Sequence, residues 1–383
     1  MVDPATNADS AAQRTITTST VDLHDVGSRL APWLQLVAGA DDLPVLAGLR
    51  RPQEAGMSSL SLLFDASWTV AGVPHEASLV ARLAPESTSF PVFATYDLPR
   101  QYAVMRAVNE RSDVPVPPLY WCEPSASVLG TPFLVMGRVA GRVPMDNPPY
   151  VFGGWLYDLT VGDRKTLQDA TVAALAALHA IEDPAAYFPD LARDAGDDAL
   201  RSHVAQQRAY YAWTIAQDGV RIPLLERAFD WLEAHWPAEP GPSVLSWGDA
   251  RIGNVLYDGL APAAVLDWEM AALGPRELDL GWFVFMHRFF QDIAAVFELP
   301  GLPDLCRRDD VVARYQRLTG HEVRDLDFYL VYAGLRHGIV MSQVKRRSIH
   351  FGEDQVPANP DGYILHGEAL QRLLEGSYDW SAP

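Results

Sequence analysis

The sequence predicts a two-lobed α+β fold, an N-terminal antiparallel sheet lobe followed by a mostly helical C-terminal lobe, and three observations predict it. Up to about residue 137, short apolar and β-favouring runs alternate with Gly- and Pro-containing turns. After Gly141 the apolar residues recur at helical spacing instead. Inside that helical half sits a single β-rich interruption, residues 243–268.

The elements follow in order. Residues 1–20, MVDPATNADSAAQRTITTST, are mostly small and polar and are expected to form a mobile tail. They lack the basic start and apolar core of a secretory signal. The sheet lobe, 21–137, begins with the runs Leu60–Phe64 and Leu79–Leu83, separated by the turn-like Ala71-Gly72-Val73-Pro74. Leu98–Val108 has helical spacing, with Leu98, Tyr102, Met105 and Val108 sharing a face. Three prolines between Asp113 and Pro118 enforce an extended connection. Leu119–Cys122 and Phe133–Met136 then read as strands around Gly130-Thr131-Pro132. Residues 138–141 form a hinge, and 142–383 the helical lobe. In that lobe Lys165–Ile181 puts Ala170, Ala174, Leu178 and Ile181 on one stripe. Leu225–Trp236 does the same with Leu225, Phe229, Leu232 and Trp236, and Asp325–Arg346 is a long helical pattern.

Composition narrows the class. The chain is 49% hydrophobic and 21% charged, the balance of a globular protein with a sizeable core. Apolar runs such as Trp282–Met286 are far too short to cross a bilayer, so no membrane span is expected. The net charge of −19 repels nucleic acid and anionic membranes; it would attract a cationic substrate, although solubility alone also accounts for it. Cys122 and Cys306 lie far apart without metal-ligand spacing and fit a reducing cytoplasm as buried thiols.

The chemistry concentrates in 243–282. Val244–Trp247 runs as a strand into Gly248-Asp249; Asn254 follows, then the strand Val255-Leu256-Tyr257. A turn at Asp258-Gly259 returns the chain through Ala263–Leu266 to Asp267. This hairpin converges Asp249, Asn254 and Asp267 on one point. Phosphoryl transfer needs positioning and charge neutralisation more than covalent help. A carboxylate, Asp249, orients an attacking hydroxyl and accepts its proton. The amide oxygen of Asn254 and the carboxylate of Asp267 are hard ligands suited to magnesium. The spacing Asp-x-x-x-x-Asn equals that of the kinase catalytic loop.

The segment Gly-Asp-x-Arg-x-Gly-Asn with Leu-Asp-Trp-Glu-Met-Ala resembles the aminoglycoside phosphotransferase-like family of small-molecule kinases. More narrowly, it resembles the branch related to kinase-like domains fused to acyl-CoA dehydrogenases. The resemblance is strong over 243–282 and collinear over about 45–290. It implies a protein-kinase-like pair of lobes, ATP and Mg2+, and transfer of the γ-phosphate to a hydroxyl of a small molecule, aminoglycoside-like or acyl- or lipid-like. On the nucleotide side, Ala55–Ser61 matches the family's phosphate turn, which assigns Ser58, Ser59 and Ser61 to the β- and γ-phosphates. Arg82 stands where kinases carry the lysine for the α- and β-phosphates. Phe133–Met136 with Gly137 and Val139 resembles the strand and hinge that receive adenine through backbone groups. Asp279 matches an acid that anchors the catalytic loop, and His179 a helix histidine that packs and hydrogen-bonds. Arg251 either binds phosphate or substrate, or pairs with a nearby acid.

Two positions depart from the family pattern. The histidine before Gly-Asp is Trp247, so any bracing it gave must be rebuilt from one indole donor. The helix glutamate that would pair with the phosphate-binding base is Gln101, leaving Gln101 or Asp97 as the expected partner of Arg82. These departures motivate the alternative of a nucleotide-binding pseudokinase or scaffold. The aromatics Tyr210, Tyr211, Trp213, Trp282, Phe283, Phe285, Phe289 and Phe290 are expected to be mostly core, with some lining an apolar acceptor site.

Overall fold

A computed structural model describes residues 22–52, 59–85 and 90–380. The expected tail 1–20 and Ser58 with its preceding turn residues lie outside the described residues. The first lobe holds helix α1 (Leu23–Ala38), strands β1 (Val45–Arg50), β2 (Leu60–Val70) and β3 (Val73–Leu83), helix α2 (Leu98–Arg111), and strands β4 (Leu119–Glu123) and β5 (Phe133–Gly137). The strands form one antiparallel sheet in the order β1-β2-β3-β5-β4.

The sequence reading omitted α1 and β1. Asp22 caps α1, its carboxylate accepting from His24 N–H, and the helix buries Val26, Leu30, Trp33 and Leu34. These residues share one apolar cluster with Leu62, Phe64, Leu79, Leu83 and Phe133 of the sheet, so α1 covers its otherwise open face. Each such side chain contributes about 1.5–3 kcal/mol by leaving water. The β2–β3 hairpin is also longer than its apolar runs. Ala71 and Gly72 both take positive φ at its tip, and the Asp41 carboxylate accepts from both of their N–H groups. Its outer rungs, Val73 to Glu76, face solvent and therefore carry no apolar signal.

The second lobe begins with α3 (Val161–His179) and the short helices α4 (Pro184–Tyr187) and α5 (Pro189–Ala195). It continues with α6 (Ala199–Asp218), α7 (Pro223–Ala234), α8 (Glu277–Val296), α9 (Arg308–Thr319), α10 (Leu326–His350) and α11 (Gly367–Leu374). The buried face of α3 is Leu167, Thr171, Val172, Leu175, Leu178 and His179. This corrects the predicted stripe: Ala170 and Ala174 are only half-buried, because the helix turns its larger aliphatic residues to the core. In α7, Leu225, Phe229 and Leu232 are buried as expected; Trp236 lies beyond the helix end.

The β-rich interruption is two small ladders. β7 (Val255–Asp258) pairs with β8 (Ala261–Val265) as the predicted hairpin. β6 (Val244–Ser246) instead pairs with β9 (Ala272–Gly274), just beyond the predicted unit. Three-residue strands carry too little alternation to be read from sequence. Val265 N–H donates to the Pro115 carbonyl and Tyr257 bridges to Arg142, which ties the hairpin to the segments entering and leaving the sheet lobe. Helices α8 and α10 pack along each other behind the hairpin and form the centre of the largest apolar core.

Candidate active site

The site is built on the loop between β6 and β7, and its backbone is held from below. Asp279, fully buried on the first turn of α8, accepts from Ser246 Oγ (2.9 Å), Trp247 N–H (2.8 Å) and Gly248 N–H (2.9 Å). His179 Nε2 lies 2.9 Å from the same carboxylate and its Nδ1 2.7 Å from Tyr315 Oη. Burial pushes the Asp279 carboxyl up, but His179 and the loop donors outweigh burial and hold it below its ordinary range. Asp279 and His179 thus take the anchoring and packing positions expected of them. Gly248 has φ +87°, and a Cβ there would stand 2.0 Å from the Met270 carbonyl oxygen, so only glycine fits.

Asp249 follows directly. Its carboxylate accepts from Asn254 Nδ2 (2.6 Å) and Trp282 Nε1 (2.6 Å), with Arg251 Nε at 3.3 Å. Asn254, on a single 3₁₀ turn (Ile252–Asn254), also donates to the Asp249 backbone carbonyl at 3.1 Å. The Asn254 amide nitrogen is therefore committed to Asp249, and among the described residues its oxygen accepts no hydrogen bond. Of the two readings of Arg251, pairing with an acid is the arrangement found: it reaches Asp249 and, at 2.8 Å, Asp146. Burial opposes the Arg251 charge, but these two acids hold the guanidinium protonated.

Asp267 follows β8 with φ +59°, a left-handed conformation unusual for a non-glycine residue. Two bonds fix its approach. Leu266 N–H donates to the Asn254 carbonyl at 2.8 Å, and the Leu266 carbonyl accepts from Trp247 Nε1 at 2.8 Å. The tryptophan at the usual histidine position therefore braces the loop through its one donor.

From the sheet lobe, Arg82 Nη2 reaches Asp267 Oδ1 at 2.6 Å and Glu269 Oε2 at 3.3 Å. This corrects the expected partners Gln101 and Asp97. Asp97 caps α2 by accepting from Arg100 N–H, and Arg82 finds its acids across the cleft. Glu269 was missed as an Arg82 partner; the clue in the sequence was its place in Asp-Trp-Glu, two residues after Asp267. Trp282 was counted among core aromatics, and nothing in its spacing indicated contact with Asp249.

The remaining assigned residues are spread along the sheet. Ser61 faces Arg82 across the β2–β3 ladder, and Ser59 immediately precedes β2. Gly137 ends β5 and its N–H donates to the Pro118 carbonyl at 2.7 Å, so any adenine contact there falls to its carbonyl. Val139 lies two residues beyond. Below Arg251 the side chains of Tyr150, Ile252, Phe283, Met286, Phe290 and Cys306 close over a seam too tight to admit a water molecule. Among the described residues no group of three His, Cys, Asp or Glu side chains forms a self-contained metal cage, and no helix is long and apolar enough to cross a membrane.

Residues 68–307 match the family model of the phosphotransferase enzyme family, well over half of the chain. The chain belongs to that family. This phosphotransferase is also 28% identical over 307 residues to mouse acyl-CoA dehydrogenase family member 10, covering 77% of this chain and 27% of that protein. It is 26% identical over 249 residues to human acyl-CoA dehydrogenase family member 11, covering 63% of this chain and 30% of that protein. The match thus spans less than a third of the length of these relatives. Among solved structures, a Ralstonia eutropha protein assigned to the aminoglycoside phosphotransferases has a TM-score of 0.61 at 22% identity, covering 93% of this chain and 98% of that one. APH(4)-Ia bound to ADP and hygromycin B has a TM-score of 0.52 at 15% identity, covering 92% and 99%. The phosphotransferase therefore has the kinase-like fold of these proteins, sheet lobe and helical lobe included.

Proposed function

We propose that this phosphotransferase moves the γ-phosphate of ATP, with magnesium, to a hydroxyl group of a small molecule, and that Asp249 is its base. The observation that carries the reading is the joint geometry of Asp249 and Asn254. Asn254 gives its amide N–H to the carboxylate at 2.6 Å and keeps its oxygen available, so one side chain both holds the base and offers a hard ligand. Asp249 orients the acceptor hydroxyl and takes its proton as the oxygen bonds to the γ-phosphorus and the bond to the bridging oxygen of ADP breaks.

Asn254 and Asp267 would hold magnesium. The donor set fits, since magnesium is commonly held by one or two carboxylates completed by substrate phosphates and water. A second sign of fit is that a cation, the Arg82 guanidinium, already lies against Asp267. Bound there, magnesium would neutralise charge on the phosphate oxygens. Arg82 would serve the α- and β-phosphates, with Glu269 as its standing counter-ion in place of the usual helix glutamate. Ser58, Ser59 and Ser61 would approach the outer phosphates, and the Gly137 carbonyl with Val139 N–H the adenine edge.

For the acceptor, we favour a hydroxylated acyl or lipid-like compound over an amino sugar. The two acyl-CoA dehydrogenase family relatives point the same way. The test is ATP consumption over a panel of hydroxylated acyl compounds and aminoglycosides. Asp249→Ala and Asp267→Ala should each lose turnover while keeping the fold. Full turnover by Asp249→Ala on an accepted substrate excludes the assigned base.

A further inference from the structure

Two buried side chains beside the loop are left without a role by this reading. Trp282 lies one turn after Asp279 on α8, so the same face of one helix grips the loop twice. Asp279 holds the Trp247 and Gly248 N–H groups; Trp282 donates its indole N–H to Asp249 Oδ1 at 2.6 Å. Arg336, on α10, is 1% exposed, and its guanidinium carbon lies 4.5 Å from the centre of the Trp282 ring. Its Nη2 donates to the Gly248 carbonyl at 3.0 Å, its Nε is without a hydrogen-bond partner, and no carboxylate pairs with it among the described residues.

A buried cation with no carboxylate in hydrogen-bonding reach is costly even with the charges of Asp279 and Asp249 acting on it, and a core position on α10 is more cheaply filled by an aliphatic side chain. Arg336 is placed where it links the carbonyl just before Asp249 to the ring whose N–H reaches the Asp249 carboxylate. A cation over the indole face also polarises the N–H toward a better donor. The simpler account, that Trp282 is a core residue whose N–H found the nearest acceptor, leaves Arg336 unexplained.

We propose that Trp282 is a positioning residue for phosphoryl transfer: its N–H fixes the orientation of the Asp249 carboxylate, and Arg336 holds the indole and the Gly248 carbonyl in place. The inference rests on Asp249 as base. Trp282→Phe keeps an aromatic side chain at the site while removing the donor together with the five-membered ring of the indole. In the full chain, with Mg-ATP and water as acceptor, kcat for hydrolysis should fall about 10- to 100-fold, the range of a hydrogen bond to a charged group. The Kd for Mg-ADP by calorimetry and the thermal midpoint should stay near those of the unaltered protein. Arg336→Met should lower kcat in the same way. A folded Trp282→Phe with unchanged kcat overturns the proposal.

A second measurement needs no turnover and no folded Trp282→Phe. Among the eleven indole N–H resonances of the ¹⁵N-labelled protein, a strongly downfield one should move upfield in Asp249→Asn, where a charged acceptor becomes a neutral amide. No indole response overturns the proposal. A response in a protein that consumes no ATP with water or with any hydroxyl compound of the panel keeps the contact and rejects the catalytic reading of Asp249 instead.

Discussion

Arg82 and Asp267 meet across the two lobes at 2.6 Å, a strand cation of the sheet lobe resting on an acid that follows the β7–β8 hairpin. Both side chains are largely buried, at 12% and 23% exposure, so the pair is shielded from solvent. If Asp267 holds magnesium as proposed, the metal and the guanidinium would compete for one carboxylate. On binding Mg-ATP, Arg82 is expected to transfer to phosphate while Glu269 keeps its partial hold.

Arg82→Ala should raise KM for ATP about 10- to 100-fold, since a charge-assisted phosphate contact is lost. Glu269→Gln should raise it by a smaller factor, about 3- to 10-fold, because Arg82 loses its standing counter-ion but keeps its charge. Steady-state kinetics at saturating magnesium checks both. Equal KM values in all three proteins would remove Arg82 from the phosphate site.

Gly248→Ala should abolish turnover. The added Cβ meets the Met270 carbonyl oxygen at 2.0 Å, and the left-handed φ of +87° is unfavourable for alanine. The loop must shift, and with it the peptide that presents Asp249. A turnover assay paired with a thermal melt separates local loop damage from unfolding.

Asp279→Asn should destabilise the protein by about 3–5 kcal/mol, the usual consequence of removing one member of a buried charged network. His179, Ser246 and two loop N–H groups share that carboxylate. Urea unfolding of the two proteins measures the difference, and a change below about 1 kcal/mol would contradict the anchoring role.

Stability should fall as pH drops below about 6.5. Burial, first of all, depresses His203 to about 3 and His287 and His366 to about 4, and pushes His337 well below its ordinary value of 6.5. These rings stay neutral in the fold and take up protons when the chain unfolds, so the unfolded state binds more protons and low pH favours it. Each contributes up to about 1.4 kcal/mol per pH unit between 6.5 and its folded value. Denaturation midpoints at pH 7, 6 and 5 should decline steadily. A flat profile would mean that the four histidines titrate normally.

Much of this was legible from residue order. The Gly-Asp loop, its asparagine and the hairpin to Asp267 are local features, and local spacing alone brings their backbones together. The apolar runs of β3, β5, α7 and α10 marked their elements because each buries a regular face. Helix α1 and strand β1 left weaker traces, as did the three-residue pairing of β6 with β9.

What the sequence determined by itself is the local backbone, the loop of Asp249 and Asn254 and the hairpin that leads to Asp267, since all three lie within one short segment whose turns dictate its course. The tertiary structure decided their partners: Arg82 and Glu269 across the cleft, Asp279, His179 and Trp282 beneath the loop, and Arg336 behind Trp282. Those contacts join residues distant in the chain. Helix packing and lobe apposition set them, and no local periodicity records which buried side chain will face which charge.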